Sequence, residues 1–294
     1  MRIGFLTCRD LLPDAQERRL DAFEHDLQIA ALRAGMAATG VEVLEIDWRS
    51  PIEAFAGVEL VLLGTVWDYQ DHADEFLARL DELAARAVRV CNSPEVARWN
   101  IDKIYLKELA AAGASIIPAL WRDDLDADDI SEAFDVFGCD RVIAKRRIGA
   151  GALGQCDFTR STPPPSHWRL GRPGLVQPFL PSIETEGEYS LIFIAGAFCH
   201  AVLKRPALGD YRVQSLYGGA EMAVTLSAGD MRATREVLHA LPFDMPLYVR
   251  IDLVRDADGR LCVIEVELIE PYLYPAQGPE LGERLRTAII KLVR

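Results

Sequence analysis

The stretch Tyr248–Leu268, YVRIDLVRDADGRLCVIEVEL, decides the fold. Val249, Ile251 and Leu253 alternate with Tyr248, Arg250 and Asp252, and on the return Val263 and Glu265 alternate with Ile264, Val266 and Leu268, the period of two expected of strands. Asp258-Gly259 between them fits a two-residue primed turn. Such a turn sets Ala257 opposite Arg260 and, counting outward, Asp252 opposite Glu265, with Glu267 on the same face. Like charges facing each other destabilise a sheet, so carboxylates gathered in this way either raise a pKa or recruit a cation. Mg²⁺ suits them, because it takes hard oxygen ligands and accepts substrate phosphates beside them. The competing reading is an edge hairpin whose acids meet water, and a longer turn with a bulge would shift the register.

The surrounding chain is long enough for one or two folding units with a large core. Half of its 294 residues are hydrophobic, yet no apolar run reaches the length of a bilayer crossing. The opening MRIGFLTCRD lacks the features of a signal peptide, so a cytoplasmic location and no membrane partner are expected. Cysteines 8, 91, 139, 156, 199 and 262 form no CxxC pair and no spacing with histidine, which argues for reduced thiols and against zinc. A formal charge of −13 argues against a nucleic-acid partner.

From the start, strand and helix alternate to about residue 92, predicting a small open parallel sheet. Its strands are Met1–Cys8, Val41–Asp47 and the apolar run Val58–Gly64. A helix carrying Leu27, Ala30, Ala31 and Ala34 ends at Gly40. Ligands of such sheets sit at the carboxyl ends of strands, which brings Arg9, Asp10, Trp67, Asp68 and Tyr69 near one crevice, although each also suits an ordinary loop. Ser93 and Pro94 start a helix, and a second, Ile101–Ala112, carries Lys103 in its first turn, against the helix dipole.

Arg141–Gly154, RVIAKRRIGAGALG, delivers Lys145, Arg146 and Arg147 at a strand end, followed by a loop with Gly149, Gly151 and Gly154. The loop opens no helix and no lysine follows it, so neither the dinucleotide fingerprint nor a P-loop is satisfied. What remains is a glycine-rich flap able to cover phosphates with backbone N–H groups, or a plain flexible hairpin. Gly174–Leu180 is a strand whose Pro178 withholds an N–H, predicting an edge or hinge. Glu184, Glu186 and Glu188 follow in a loop, then a hairpin from Tyr189–Ile194 and Cys199–Leu203. A second basic cluster, KRPALGDYRVQ, spans Lys204–Gln214, and an amphipathic helix closes the chain from Glu280.

In this order the lysines, the glycine flap and the carboxylate hairpin resemble the ATP-grasp superfamily over nearly the whole chain, in particular ligases similar to bacterial glutathione synthetase. The resemblance implies that Lys103, behind Asn92-Ser93-Pro94, and Lys145, ahead of the flap, bind nucleotide. It implies further that Gln177, Pro178, Phe179 and Leu180 of the hinge strand hold adenine, that Glu188 holds the ribose, and that Asp252, Glu265 and Glu267 hold the metal. Lys204 or Arg205, with Arg212 and Gln214, resemble the segment that holds the γ-phosphate and the acyl-phosphate, with the register between Lys204 and Arg205 open. Ser190 replaces the arginine that often follows the ribose-binding acid, and Glu267 stands where an asparagine often ends the metal motif. WDYQDHADEFL at 67–77, GEYSLIFIAGAFCHAVLKRPALGDYRVQ at 187–214 and VELIEP at 266–271 are similar to the subgroup containing the O-ureido-D-serine cyclo-ligase of D-cycloserine biosynthesis.

The fold so implied is α/β: an open parallel pre-ATP-grasp domain at 1–92, a lid subdomain with the glycine flap at 93–175, and a subdomain with the metal-binding hairpin at 176–294. The implied chemistry is a carboxylate-amine ligation or cyclisation through an acyl-phosphate, dependent on ATP and two Mg²⁺ ions, on a small amino-acid-like substrate. Arg9, Asp10, Asp68 and Tyr69 are the candidates for holding that substrate. A homo-oligomer is compatible with the sequence, and a dipeptide ligase or a nucleotide-binding protein without ligase activity are the alternatives.

Overall fold

The computed structural model describes residues 1–293. The chain begins with β1 (Arg2–Thr7), α1 (Ala22–Met36), β2 (Glu42–Asp47), β3 (Leu60–Thr65), α2 (Ala73–Ala85) and β4 (Arg89–Cys91). These strands make the expected parallel sheet, in the order β2-β1-β3-β4. β3 is buried at every residue, as its unbroken apolar sequence requires of an inner strand covered on both faces.

The expected face of α1 is not the one it buries. Ala22, His25, Gln28, Ile29, Leu32 and Met36 pack inward, whereas Leu27, Ala30 and Ala34 are exposed. The inward stripe contains a buried histidine and glutamine, which apolar periodicity does not reveal. His25 is held between Thr65 Oγ1 (2.7 Å) and Glu45 Oε2 (2.9 Å), and Gln28 is bonded to the backbone of Pro271 and Leu273. Both polar side chains are thereby satisfied inside the core.

Next come α3 (Pro94–Asn100), α4 (Tyr105–Ala111), β5 (Leu120–Arg122), α5 (Ala127–Phe137), β6 (Arg141–Arg146), β7 (Cys156–Thr159) and β8 (Gly174–Pro178). Ser93 caps α3 by accepting a hydrogen bond from the Val96 N–H (3.3 Å). Lys103 lies in the turn between α3 and α4, ahead of the helix rather than in its first turn. The second sheet is antiparallel, ordered β5-β8-β6-β7, so β8 is an inner strand and not the predicted edge. Pro178 is tolerated there because β5 pairs only with Gly174, Leu175 and Val176 and ends before the proline.

The remainder is α6 (Ser182–Thr185), β9 (Glu188–Ile194), β10 (Ala197–Arg205), β11 (Ala220–Ala223), α7 (Ala228–His239), β12 (Tyr248–Arg255), β13 (Leu261–Glu267) and α8 (Leu281–Leu292). Its strands form the third sheet, β11-β10-β9-β12-β13, antiparallel throughout. Glu188 therefore opens a central strand instead of lying in a loop.

β12 and β13 set Asp252 opposite Glu265 as expected, but by a different route. The connection runs one residue longer than a two-residue turn: Asp256 N–H donates to Arg260 O, and Gly259 adopts φ +77°. That shifts the pairing by one, and a bulge between Asp252 and Leu253 shifts it back. α8 returns across α1 at a glycine crossing: a Cβ on Gly35 would lie 2.1 Å from Gly282 O, so only glycine permits the approach.

Candidate active site

Residues from the second and third sheets, with α1 and the loops beside the first, line one cavity of about 270 Å³. Its floor is the inner end of β12 and β13. Asp252 is 3% exposed, because its strand runs between β9 and β13, and its neighbours are cations: Arg250 Nη2 at 2.9 Å and Lys204 Nζ at 3.6 Å, with the Ser190 hydroxyl donating to the same carboxylate. Burial works to raise the Asp252 pKa, but Arg250 and Lys204 overcome it and hold the carboxyl below its ordinary value.

Glu267, half-buried, is paired with Arg250, whose guanidinium also donates to Tyr272 O at 3.0 Å. Burial still pushes the Glu267 pKa well up; Arg250 opposes this, and Asp252, Glu265 and Glu270 reinforce it. Glu270 is raised to about 7 by burial, with Glu265 adding and the Tyr69 hydroxyl subtracting.

Lys103 forms the opposite wall. The chain on either side of it is sewn to the free edge of β13: Asn100 donates to Val266 O (2.7 Å) and accepts from Leu268 N–H (2.9 Å), and the Tyr105 hydroxyl bonds the backbone of Val266. Lys103 Nζ is thereby set 2.8 Å from Glu265 Oε1 and also donates to Gly149 O. Lys145, at the end of β6, enters the same space; burial lowers its pKa, with Lys103 adding and Glu265 opposing. An amine in that state gains most from a further anion.

Gln177, Pro178, Phe179 and Leu180 line the side of the cavity, and Gln177 Oε1 is buried without a partner. Glu188 and Lys204 form a buried ion pair, and Lys204 is kept charged against burial by Asp252 and Glu188. Of the two residues between which the sequence left the register open, Lys204 is 2% exposed and lines the cavity, while Arg205 is exposed and donates to Glu186 O. Arg212 and Gln214 also line it. The Arg212 guanidinium is turned to Asp210 (2.7 Å) and lies over the Tyr217 ring.

The glycine flap closes the cavity. Gly149 and Gly151 line it, whereas Gly154 faces a neighbouring open pocket with Arg141 and Tyr211. Gly151 and Gly154 take positive φ, as does Ala152 between them.

None of the four substrate candidates lines the cavity. Tyr69 is buried and its hydroxyl meets Glu270. Arg9 is exposed and paired with Asp14 of its own loop, and Asp68 is occupied by Trp48 Nε1 (2.7 Å) and Arg49 (2.6 Å) from the loop after β2. Asp10 also lies outside the lining, with Oδ1 unpartnered.

Sequence reasoning missed Arg250, Glu270, Glu24, Glu221 and Gln70, all lining residues. Arg250 was legible, since it shares a strand face with Asp252 two residues away. Gln70 was not, because its contact is tertiary: its side-chain oxygen accepts from the Ala150 N–H of the flap.

The donor set of Asp252, Glu265 and Glu267 is all hard oxygen, and burial, with Asp252, Glu265 and Glu270 adding, disfavours the charged form of Glu267 that a divalent cation would favour, so these residues fit Mg²⁺ in kind. They are not a preformed cage. Among the described residues no three acidic, histidine or cysteine side chains converge as a metal site, because Arg250, Lys204 and Lys103 each hold one or more of these carboxylates.

Residues 3–92 match the family described as D-cycloserine synthetase DcsG, N-terminal domain. The chain is 28% identical over 274 residues to the cycloserine biosynthesis protein DcsG of Streptomyces lavendulae, an alignment covering 84% of this chain and 88% of that protein. A crystal structure of D-cycloserine synthetase DcsG superposes with a TM-score of 0.84 at 22% identity, covering all of both chains. The ATP-grasp ligase PsnB, solved with a precursor variant, Mg and ADP, gives 0.65 at 17% identity over 99% of this chain and 98% of that one.

Proposed function

We propose that this chain, which has the ATP-grasp fold and is related to DcsG, is an ATP- and Mg²⁺-dependent ligase that joins a carboxylate to a nitrogen through an acyl-phosphate. The observation that carries the reading is the gathering of Lys103, Lys145, Asp252, Glu265 and Glu267 around one cavity. A carboxylate is a poor acylating agent because its leaving group would be oxide. Attack of its oxygen on the γ-phosphorus of ATP replaces oxide with phosphate, and a nitrogen then displaces that phosphate.

Catalysis of this kind is charge management. Lys103 and Lys145 offer their ammonium groups to phosphate oxygens, and Arg250, buried beside the reacting region, stabilises charge developing on the transferred group. Gln177 offers its unpartnered oxygen on the side lined by Phe179 and Leu180, where the base would lie, and Glu188 lies where it can accept from the ribose. Asp252, Glu265 and Glu267 would hold Mg²⁺, which when bound neutralises charge on the β and γ oxygens. The glycine flap excludes the water that would otherwise hydrolyse an acyl-phosphate.

The relation to DcsG supports O-ureidoserine as the substrate and ring closure as the outcome, with a linear amide as the alternative. Purified protein supplied with ATP, Mg²⁺ and candidate amino acids, O-ureidoserine among them, is expected to release ADP, and hydroxylamine to trap a hydroxamate. ADP release with no hydroxamate would indicate a phosphate ester and a kinase. Thermal stabilisation by ATP and Mg²⁺ without ADP release would indicate a nucleotide-binding protein, a reading favoured by the carboxylates being already neutralised by protein cations.

A further inference from the structure

Arg212 reaches the cavity from a loop built around one carboxylate. Between β10 and β11, Asp210 Oδ1 accepts from the backbone N–H groups of Tyr211 (2.8 Å) and Arg212 (2.9 Å), and the same carboxylate takes the Nε (3.0 Å) and Nη2 (2.7 Å) edge of the Arg212 guanidinium. A second contact fixes the plane of that group, which lies 3.7 Å from the centre of the Tyr217 ring. The loop is anchored on both sides. Tyr211 meets Phe179 edge to face with ring centres 6.0 Å apart, and Gly219 approaches Val213 O so closely that a Cβ would lie 2.0 Å from it.

A guanidinium has five N–H donors, and this arrangement spends only its Nε–Nη2 edge. Nη1 has no hydrogen-bond partner among the described residues. Arg212 lines the cavity, and the Tyr217 ring under it donates through its hydroxyl to Gly151 O of the flap (3.4 Å), so the free end is presented beside the flap. We infer that Asp210 is a positioning residue, which holds Arg212 so that its free Nη1 end meets the γ-phosphoryl group of ATP without first having to be ordered. The role rests on the reading above, in which ATP occupies this cavity with its phosphates under the flap. An unheld arginine gives up rotamer freedom when it binds; one already clamped along the other edge of its fork does not. Asp210 stays ionised for this, its carboxyl held down to about 2 by Arg212 first, with the two backbone N–H groups adding and burial opposing.

Asp210→Asn separates this role from one in the turn, because the amide oxygen still accepts the two backbone N–H groups whereas the amide nitrogen offers the guanidinium no acceptor. Calorimetric titration of the full chain with Mg²⁺ and AMP-PNP compares wild type, Asp210→Asn, Arg212→Ala and the double variant. Arg212→Ala is expected to weaken binding about tenfold, for the loss of one charged hydrogen-bonding partner. Asp210→Asn is expected to weaken it about threefold to fivefold, for lost pre-organisation, and the double variant to bind no worse than Arg212→Ala, since Asp210 acts only through that arginine. ADP, which lacks the γ-phosphoryl group, is expected to bind all four alike. The inference is overturned by Asp210→Asn or Arg212→Ala binding AMP-PNP like wild type, by losses that multiply in the double variant, or by an equal loss for ADP, the mark of a residue that only builds the loop. ADP release from ATP is read separately: a wild type that binds AMP-PNP with this pattern but turns over no candidate substrate sinks the ligase reading and leaves Asp210 in its role. A wild type that binds no nucleotide overturns both.

Discussion

The acid floor and the glycine flap face each other across the same cavity and are built on opposite principles. Asp252, Glu265 and Glu267 project from paired strands, and a protein cation already neutralises each. The flap has no ladder. It is held by a hydrogen bond from Lys103 to Gly149 O, one from Ala150 N–H to Gln70, one from Arg146 to Leu153 O (3.1 Å) and a longer one from Tyr217 to Gly151 O (3.4 Å). The first two tie up the groups a phosphate would claim, an ammonium and a backbone N–H. The floor is therefore the fixed part of the site, and the flap can exchange internal partners for a ligand at little cost.

Substitutions can break that contrast. Glu265 is partly exposed and reaches one cation, so Glu265→Gln is expected to lower ADP release at least about a hundredfold while the melting temperature stays near wild type. Asp252→Asn is expected to stop turnover as well, but with a loss of about 3–5 kcal/mol in denaturant unfolding, because it leaves Arg250 and Lys204 buried with less compensation. Equal stability of the two variants would remove the distinction between a floor that is also structural and one that is only chemical. On the flap side, Lys145→Ala is expected to weaken ATP binding roughly tenfold, about 1.4 kcal/mol by calorimetry, with no loss of ligand-free stability, since burial already disfavours its charge.

An effect on stability alone is expected where α1 meets the cavity. Burial raises the Glu24 pKa to about 7, with Glu221 and Asp21 adding and the Ser215 hydroxyl opposing. Its folded-state pKa lies above the unfolded one, so the folded chain binds more protons between the two. Stability thus falls as pH rises from about 4.5 to about 7 and is flat above. Glu24→Gln removes this slope: the variant is expected to match wild type in acid and to exceed it by on the order of 1–3 kcal/mol at pH 8. Parallel stability curves would show Glu24 ionising as freely as a surface acid.

Much of this site was legible because strands and turns translate sequence spacing into geometry. Asp252 faces Glu265, although by two compensating departures, a longer turn and a bulge, where a single regular turn was expected. Period-two alternation fixes which residues share a face, and it could have exposed Arg250 on the same count. It could not show that the carboxylates arrive already paired, since Lys103 and Lys204 come from distant segments. Nor could it separate Lys204 from Arg205, where one residue of register divides the cavity from solvent.

By itself the sequence determined the layered α/β plan, the carboxylate hairpin and the lysines that accompany it, because these rest on local periodicity and on residue chemistry that does not depend on neighbours. Only the tertiary structure decided which face of α1 lies inward, that β8 is an inner strand, that Gln70 reaches the flap, and that Arg9 and Asp68 turn away from the cavity. Each of those depends on what another segment offers in space: a partner for a buried histidine, a strand short enough to spare a proline, a nearer charge. No pattern along one segment encodes it.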